Sequence, residues 1–281
     1  MVLNMDNKKK YSPIGVFDSG YGGLTILKEI VKELPEYDFL YLGDNARAPY
    51  GSRSFEEVYE LTLECVKQLF DKGCHLVVLA CNTASAKALR NIQQKDLPII
   101  DPSRRVLGVI RPTTELAGNY TKTKHIGVLG TTGTVLSLSY PIEVAKFHPE
   151  VKVYQEACPL WVPLVESGKQ NSDEADVEVK KHIDNLMSRS PKIDTIILGC
   201  THYPLLIEKI KKFVPENVKL ITQGDIVAKG LKDYLNRHPE IDKKCSKGNS
   251  IEFLTTGDTI NFDLHAANFF GREIRSKHLQ L

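Results

Sequence analysis

The chain builds one short device twice. Leu76 to Leu89 reads LVVLACNTASAKAL and Thr195 to Leu206 reads TIILGCTHYPLL. Each is an apolar run, a small residue, a cysteine, and then hydrogen-bonding residues that enter a helix-like segment. A short, continuous apolar run followed by a helix reads as a strand buried on both faces of a parallel sheet. Cys81 and Cys200 therefore fall at the carboxyl ends of strands, the edge where open α/β sheets bind ligands and where the free N–H groups of a helix start favour an anion. Two cysteines at equivalent strand ends predict a site with two sides.

The repetition extends around each device. Ile14 to Phe17 (IGVF) runs into Asp18, Ser19, Gly20, Tyr21, Gly22 and Gly23 before a helix over 24–34, and Ile126 to Leu129 (IGVL) runs into Gly130, Thr131, Thr132, Gly133 and Thr134. Phe39 to Leu42 precedes the loop GDNARAPYGSRS and a helix over 55–72; Val151 to Tyr154 precedes Ala157, Cys158 and Pro159. VLGVI, within an apolar segment from Leu97 to Ile110, is followed by Pro112 and a short helix to about Ala117, and Lys219 to Thr222 is its counterpart. A helix over 173–188 feeds the Cys200 strand. Asp18 and Cys81 lie 63 positions apart, Thr131 and Cys200 69 apart, so two similar βα domains are expected rather than a solenoid. The predicted fold is α/β: two doubly wound parallel-sheet domains related by a pseudo-twofold, with the site in the cleft between them. Ile251 to Thr255 and a helix over 262–270 return to complete the first domain. That gives 1–110 plus 223–281 for one domain and 111–222 for the other.

A chain of 281 residues, 42% hydrophobic and 26% charged, can bury a real core. Its net charge of +2 is not gathered into a basic block, so no footprint for nucleic acid or a membrane surface is present. No apolar run approaches the roughly 20 residues that span a bilayer. Residues 1–12 are polar and lysine-rich and read as a frayed leader, with Met5 as an alternative start; a cytoplasmic protein is expected. Six cysteines without a CxxC pair fit free thiols better than a disulfide scaffold.

Most buried cysteines are small apolar core residues, which accounts for Cys65, Cys74 and Cys158; Cys245 lies in a lysine-rich loop. Cys81 and Cys200 differ by their matched placement, and helix starts and imidazoles are expected to lower their thiol pKa values from about 8.5. Disulfide redox lacks a nearby resolving cysteine. Zinc would find Cys81, Cys200 and His202 but no obvious fourth ligand. Phosphatase chemistry at Cys81 wants an arginine close behind, and the first one downstream is Arg90 on the helix. Proton transfer at carbon remains: two bases on opposite faces of one carbon remove a proton from one side and return another from the other, inverting the centre. Asp18 is a helix cap or a helper of this chemistry. The loop over 43–54 is a plain connection or a wall of the site. The spacing G20xG22G23 is not a dinucleotide fingerprint.

Together IGVFDSGYGG, GDNARAPYG, ACNTASA, GVLGTTGT and GCTHYPLL, in this order over residues 14 to 270, resemble the glutamate racemase family, which makes D-glutamate for bacterial peptidoglycan. The resemblance implies that Cys81 deprotonates D-glutamate and Cys200 L-glutamate, each acting as the acid for the other direction. Asp18 would assist Cys81; His202 and Glu166 would serve Cys200, with Glu156 nearby in the same segment as Glu166. Ser19, Asn82, Thr83 and Thr201 match residues that hold the amino and α-carboxylate groups. Pro49, Tyr50 and Gly51 match the loop that meets the side-chain carboxylate, and Thr131 stands at the equivalent strand end of the second half. No cofactor and no metal are implied, glutamate is the implied substrate, and a homodimer is the implied assembly. Some family members also bind DNA gyrase, so a gyrase-binding regulator, in addition to or instead of catalysis, is one alternative. The nearest alternative is a related amino-acid racemase, such as one for aspartate, which shares the two-thiol plan. Two features depart from the family pattern: Asp101 to Arg105 lengthen the link before VLGVIRP, and Arg111 stands where an acidic residue is more usual.

Overall fold

The computed structural model describes residues 12–281, so the leader and the alternative start at Met5 lie outside the described residues. Among the described residues ten strands form two sheets, and every pairing is parallel. The first sheet has the order β10-β9-β2-β1-β3-β4, with β1 Ile14–Asp18, β2 Phe39–Gly43, β3 Leu76–Leu79, β4 Arg105–Gly108, β9 Ile251–Thr255 and β10 Ser276–His278. The second has the order β6-β5-β7-β8, with β5 His125–Gly130, β6 Lys152–Ala157, β7 Thr195–Gly199 and β8 Lys219–Ile221.

The orders β2-β1-β3-β4 and β6-β5-β7-β8 are the same order, so the sequence repeat is a repeat of topology. In each half the chain leaves the first strand to one side and returns on the other. That makes the carboxyl ends of β1 and β5 switch points, where a crevice opens between the diverging loops. The loops after β1 and β3 carry Asp18 and Cys81; those after β5 and β7 carry Thr131 and Cys200.

Both faces of these strands are covered. In β1, Ile14 and Val16 belong to one apolar cluster and Phe17 to another on the opposite face, and all five strand residues are buried. The first cluster also holds Leu129, Trp161, Leu164 and Leu198 of the second half, so the two lobes share a continuous core. Helix Gly224–Arg237 packs most extensively on helix Leu24–Glu33 of the first lobe. None of the described helices is long and apolar enough to cross a membrane.

Several elements differ from their sequence-based outlines. Leu97–Ile100 is one helical turn with Pro98 at its start, and only Arg105–Gly108 of the following stretch is strand. The next helix begins at Ile110 and runs to Tyr120, because Pro112 lies in its first turn, where a missing N–H costs no helical bond. Strand β10 was not anticipated: its three residues SKH have no apolar pattern, and an edge position needs none. Cys245 is 3% exposed despite its lysine-rich neighbours, since its side chain turns under them into the core.

Candidate active site

Each cysteine lies just past the end of its strand, Cys81 at the start of a helix and Cys200 in the turn that leads into Tyr203–Leu206. Cys81 is the N-cap of helix Asn82–Lys87, its Sγ accepting from the Ala84 N–H at 3.4 Å and lying 3.6 Å from the Ser19 hydroxyl. Thr131 caps helix Thr132–Leu136 in the same way, accepting from the Thr134 N–H at 3.3 Å. Cys200 follows β7, with its Sγ 3.9 Å from Nδ1 of His202. Cys81 and Cys200 both line one cleft, whose enclosed space is small, about 90 Å³.

Ser19, Pro49, Tyr50, Gly51, Asn82, Thr83, Thr131, Glu166, Thr201 and His202 line this cleft with the two cysteines. Sequence reasoning did not single out Ala48, Ser52, Thr132, Pro159, Val162 and Pro163, which complete its wall. Asp18 stands behind Ser19 rather than on the wall. Its Oδ1 accepts from the Gly20 N–H at 2.9 Å, and its Oδ2 is buried with no hydrogen-bond partner among the described residues. The Tyr50 side chain turns away from the cleft, its hydroxyl bonded to Asp44, which also takes the Arg47 guanidinium and the Thr256 hydroxyl. Asp44 thereby anchors the loop behind Pro49 and Gly51. Among the described residues no group of three or more His, Cys, Asp or Glu side chains converges as a metal site.

The two glutamates of the second half separate cleanly in space. Glu166, at the end of helix Trp161–Glu166, receives Nε2 of His202 at 2.9 Å. Glu156 faces away, bound to His182, Asn185 and Arg189.

Contacts across the cleft hold the lobes in register. The Gly133 N–H donates to the Gly51 carbonyl at 2.8 Å, the Thr83 and Thr131 hydroxyls meet at 2.9 Å, and the Thr25 hydroxyl donates to the Thr201 carbonyl at 3.0 Å. Gly22 has to be glycine here. A Cβ on it would lie 2.2 Å from the Thr201 hydroxyl and 2.5 Å from Nδ1 of His202.

The electrostatics of the two sides are unequal. The expected lowering of the Cys81 thiol is not found: burial and the Asp18 carboxylate push it up to about 12, and the Ala84 N–H and Ser19 hydroxyl offset this only in part. A helix start is visible in sequence, whereas loss of water around a sulfur is not. Burial also raises Asp18, against the opposing pull of His202 and the Gly20 and Gly23 N–H groups. At His202 burial works against the charged ring, but hydrogen bonds to Cys200 and Glu166 outweigh it and raise the imidazole to about 10. Nδ1 faces Cys200 and Nε2 faces Glu166, so both neighbours favour the charged ring. On one side of the cleft burial opposes ionisation of the Cys81 thiol, and on the other Cys200 lies beside an imidazole whose charged form is favoured.

Residues 14–230 match the model of the Asp/Glu/Hydantoin racemase family. A glutamate racemase of Ruegeria sp. (strain TM1040) is 40% identical over 271 residues, covering 93% of this chain and 97% of that protein. The crystal structure of a glutamate racemase isoform from Bacillus anthracis superposes with a TM-score of 0.87 at 37% identity, covering 97% of this chain and 98% of that one. The Francisella tularensis glutamate racemase, solved in complex with D-glutamate, superposes with a TM-score of 0.85 at 31% identity, covering 96% and 97%. A repeated strand order, a cysteine from each half on one cleft, and likeness over nearly the whole length agree: the chain belongs to the Asp/Glu/Hydantoin racemase family.

Proposed function

We propose that this protein interconverts L-glutamate and D-glutamate by passing a proton between two thiols, without a cofactor. The observation that carries the reading is the opening of Cys81 and Cys200, from equivalent strand ends of opposite lobes, onto one cleft. Relatives named glutamate racemase at about 40% identity over nearly the whole chain support glutamate over aspartate.

In the L to D direction the Cys200 thiolate takes the α-proton, with the His202 imidazolium compensating its negative charge while it is ionised. Cys81, held as a thiol by burial and Asp18, gives its proton to the opposite face of the carbon. The C–H bond broken on one side is replaced by one formed on the other, and the reverse reaction exchanges the two roles. Glu166 holds His202 in its charged form. Ser19 and Thr201 line the cleft where an ammonium group can meet their hydroxyls, with the Asp18 carboxyl behind Ser19. Asn82, Thr83 and Thr131 and the backbone of Pro49 to Gly51 offer uncharged donors to the two carboxylates. Such donors stabilise negative charge without a cation that would compete for the thiolates.

Incubation of the purified chain with L-glutamate, and separately with L-aspartate, without added cofactor tests this reading by loss of optical rotation. Loss with glutamate alone is expected; loss with aspartate alone, or activity only after adding pyridoxal phosphate or a metal, would contradict it. The same reading takes over a homodimer and a role in supplying D-glutamate to peptidoglycan from the family resemblance. Sedimentation at micromolar concentration tests the first, and a D-glutamate requirement after gene deletion tests the second.

A further inference from the structure

The seam between the lobes contains a buried hydrogen-bond chain that no motif in the sequence signalled. Asn82, on the cleft wall, is 2% exposed; its Oδ1 accepts from the Tyr140 hydroxyl at 2.8 Å and its Nδ2 donates to Oε1 of Gln223 at 2.7 Å. Nε2 of Gln223 faces the Val109 carbonyl at 3.2 Å, the Thr113 hydroxyl at 3.1 Å and the Tyr140 hydroxyl at 3.0 Å.

The polarity of this chain follows from its far end. The Val109 carbonyl can only accept, and it already receives the Thr113 hydroxyl at 3.1 Å, so Gln223 must turn its NH₂ toward both. Its Oε1 then faces Asn82, which must answer with Nδ2, and this leaves Oδ1 of Asn82 toward the Tyr140 hydroxyl. Tyr140 is fully buried, and burial holds its phenol above the usual range, so it remains a donor. With Oδ1 turned into the seam and one amide hydrogen given to Gln223, the donor that Asn82 retains is a single N–H. An unrestrained amide could present its oxygen instead with little change of shape, and an oxygen would repel a carboxylate.

We propose that Gln223 and Tyr140 are positioning residues that hold the Asn82 amide so that it offers the cleft an N–H for a substrate carboxylate oxygen. This rests on the reading of the cleft as an amino-acid site. The donor comes from the first lobe, Tyr140 from helix Ser139–Phe147 of the second, and Gln223 from the segment that leads back to the first. The orientation is thus set only when all three segments are packed together.

The test is a double-mutant cycle on the full chain: Tyr140→Phe and Gln223→Met, each made alone and in an Asn82→Ala background, with kcat, KM and the thermal midpoint measured for each. Each single variant is expected to raise KM for glutamate about ten-fold, more than it lowers kcat, the size expected for one misdirected hydrogen bond to a charged group. In the Asn82→Ala background the same substitutions should change KM less than about two-fold, because the group they orient is gone. An equal rise in KM in both backgrounds, or folded single variants with wild-type KM, would overturn the proposal. If Gln223→Met does not fold, Tyr140→Phe removes a single oxygen and completes the cycle alone. Wild-type turnover of aspartate but not glutamate would overturn the substrate reading, and the cycle is then decided with aspartate; turnover of neither overturns both.

Discussion

Replacing Glu166 by glutamine keeps the side chain's shape and one acceptor oxygen but removes the charge that faces His202. The lost interaction is a 2.9 Å bond from Nε2 of a 4% exposed histidine to a carboxylate whose side chain is 27% exposed. A hydrogen bond to a charged group is worth about 1.5–3 kcal/mol, and partial exposure of Glu166 places it in the lower half of that range. At about 1.4 kcal/mol per pKa unit, His202 should fall by roughly one to one and a half units from its present value of about 10. The alkaline limb of kcat/KM should move down with it. Enantiomers have equal free energy, so kcat/KM must be the same in both directions at every pH, and the shift should appear identically for L- and D-glutamate. Circular dichroism progress curves between pH 6 and 11 supply the profile, and an NMR titration of the His202 ring reports the pKa independently. There is a matching effect on stability. The folded state raises His202 above its unfolded value of about 6.5, so its stabilising contribution is complete below that pH and is lost as pH rises toward about 10. E166Q should flatten the upper end of this decline. An unchanged alkaline limb together with an unchanged His202 titration would refute the assignment of Glu166 as the group that holds the imidazolium.

Other expectations follow from the same geometry. Cys81→Ser and Cys200→Ser should each lower kcat/KM by about 10²–10⁴ in both directions without loss of the folded state, read by polarimetry alongside thermal unfolding. Gly22→Ala places a methyl group 2.2 Å from the Thr201 hydroxyl and should cost about 1–3 kcal/mol of stability; it should also displace His202, with activity lost at temperatures where the variant is still folded. Thr83→Val removes the 2.9 Å bond to Thr131 that ties the lobes, and should raise KM while lowering stability by about 1 kcal/mol, measured by steady-state kinetics and urea unfolding.

The parts of this site that were legible in the sequence are those written locally. An apolar run that stops at a cysteine and turns into a helix carries its own geometry, so Cys81, Asn82, Thr83, Cys200 and Thr201 could be placed at strand ends from a dozen residues each. The repetition of strand, loop and helix in the two halves was readable for the same reason. What needed the fold was long-range or a matter of solvation. Glu156 and Glu166 are ten positions apart and look alike in sequence; only the end of β6 and the turn into helix Trp161–Glu166 send one toward Arg189 and the other toward His202. Gln223 meets Asn82 across 141 positions, and Tyr140 meets it across 58, with no motif around either. The raised Cys81 thiol depends on burial and on the Asp18 carboxyl 63 positions earlier in the chain. Of the two departures from the family pattern, Arg111 pairs with Glu115 and lies over the Phe147 ring, while Asp101 binds the Ser103 N–H and Arg104 within its own turn.

Isotope tracing during the first turnovers in D₂O addresses the two-thiol account most directly. Starting from L-glutamate, the account predicts D-glutamate that carries deuterium at Cα from its first appearance, while recovered L-glutamate keeps its hydrogen, since the sulfur that removes the proton is not the one that supplies its replacement. D-glutamate that retains the original hydrogen, or deuterium entering both enantiomers equally from the start, would mean that a single base serves both faces.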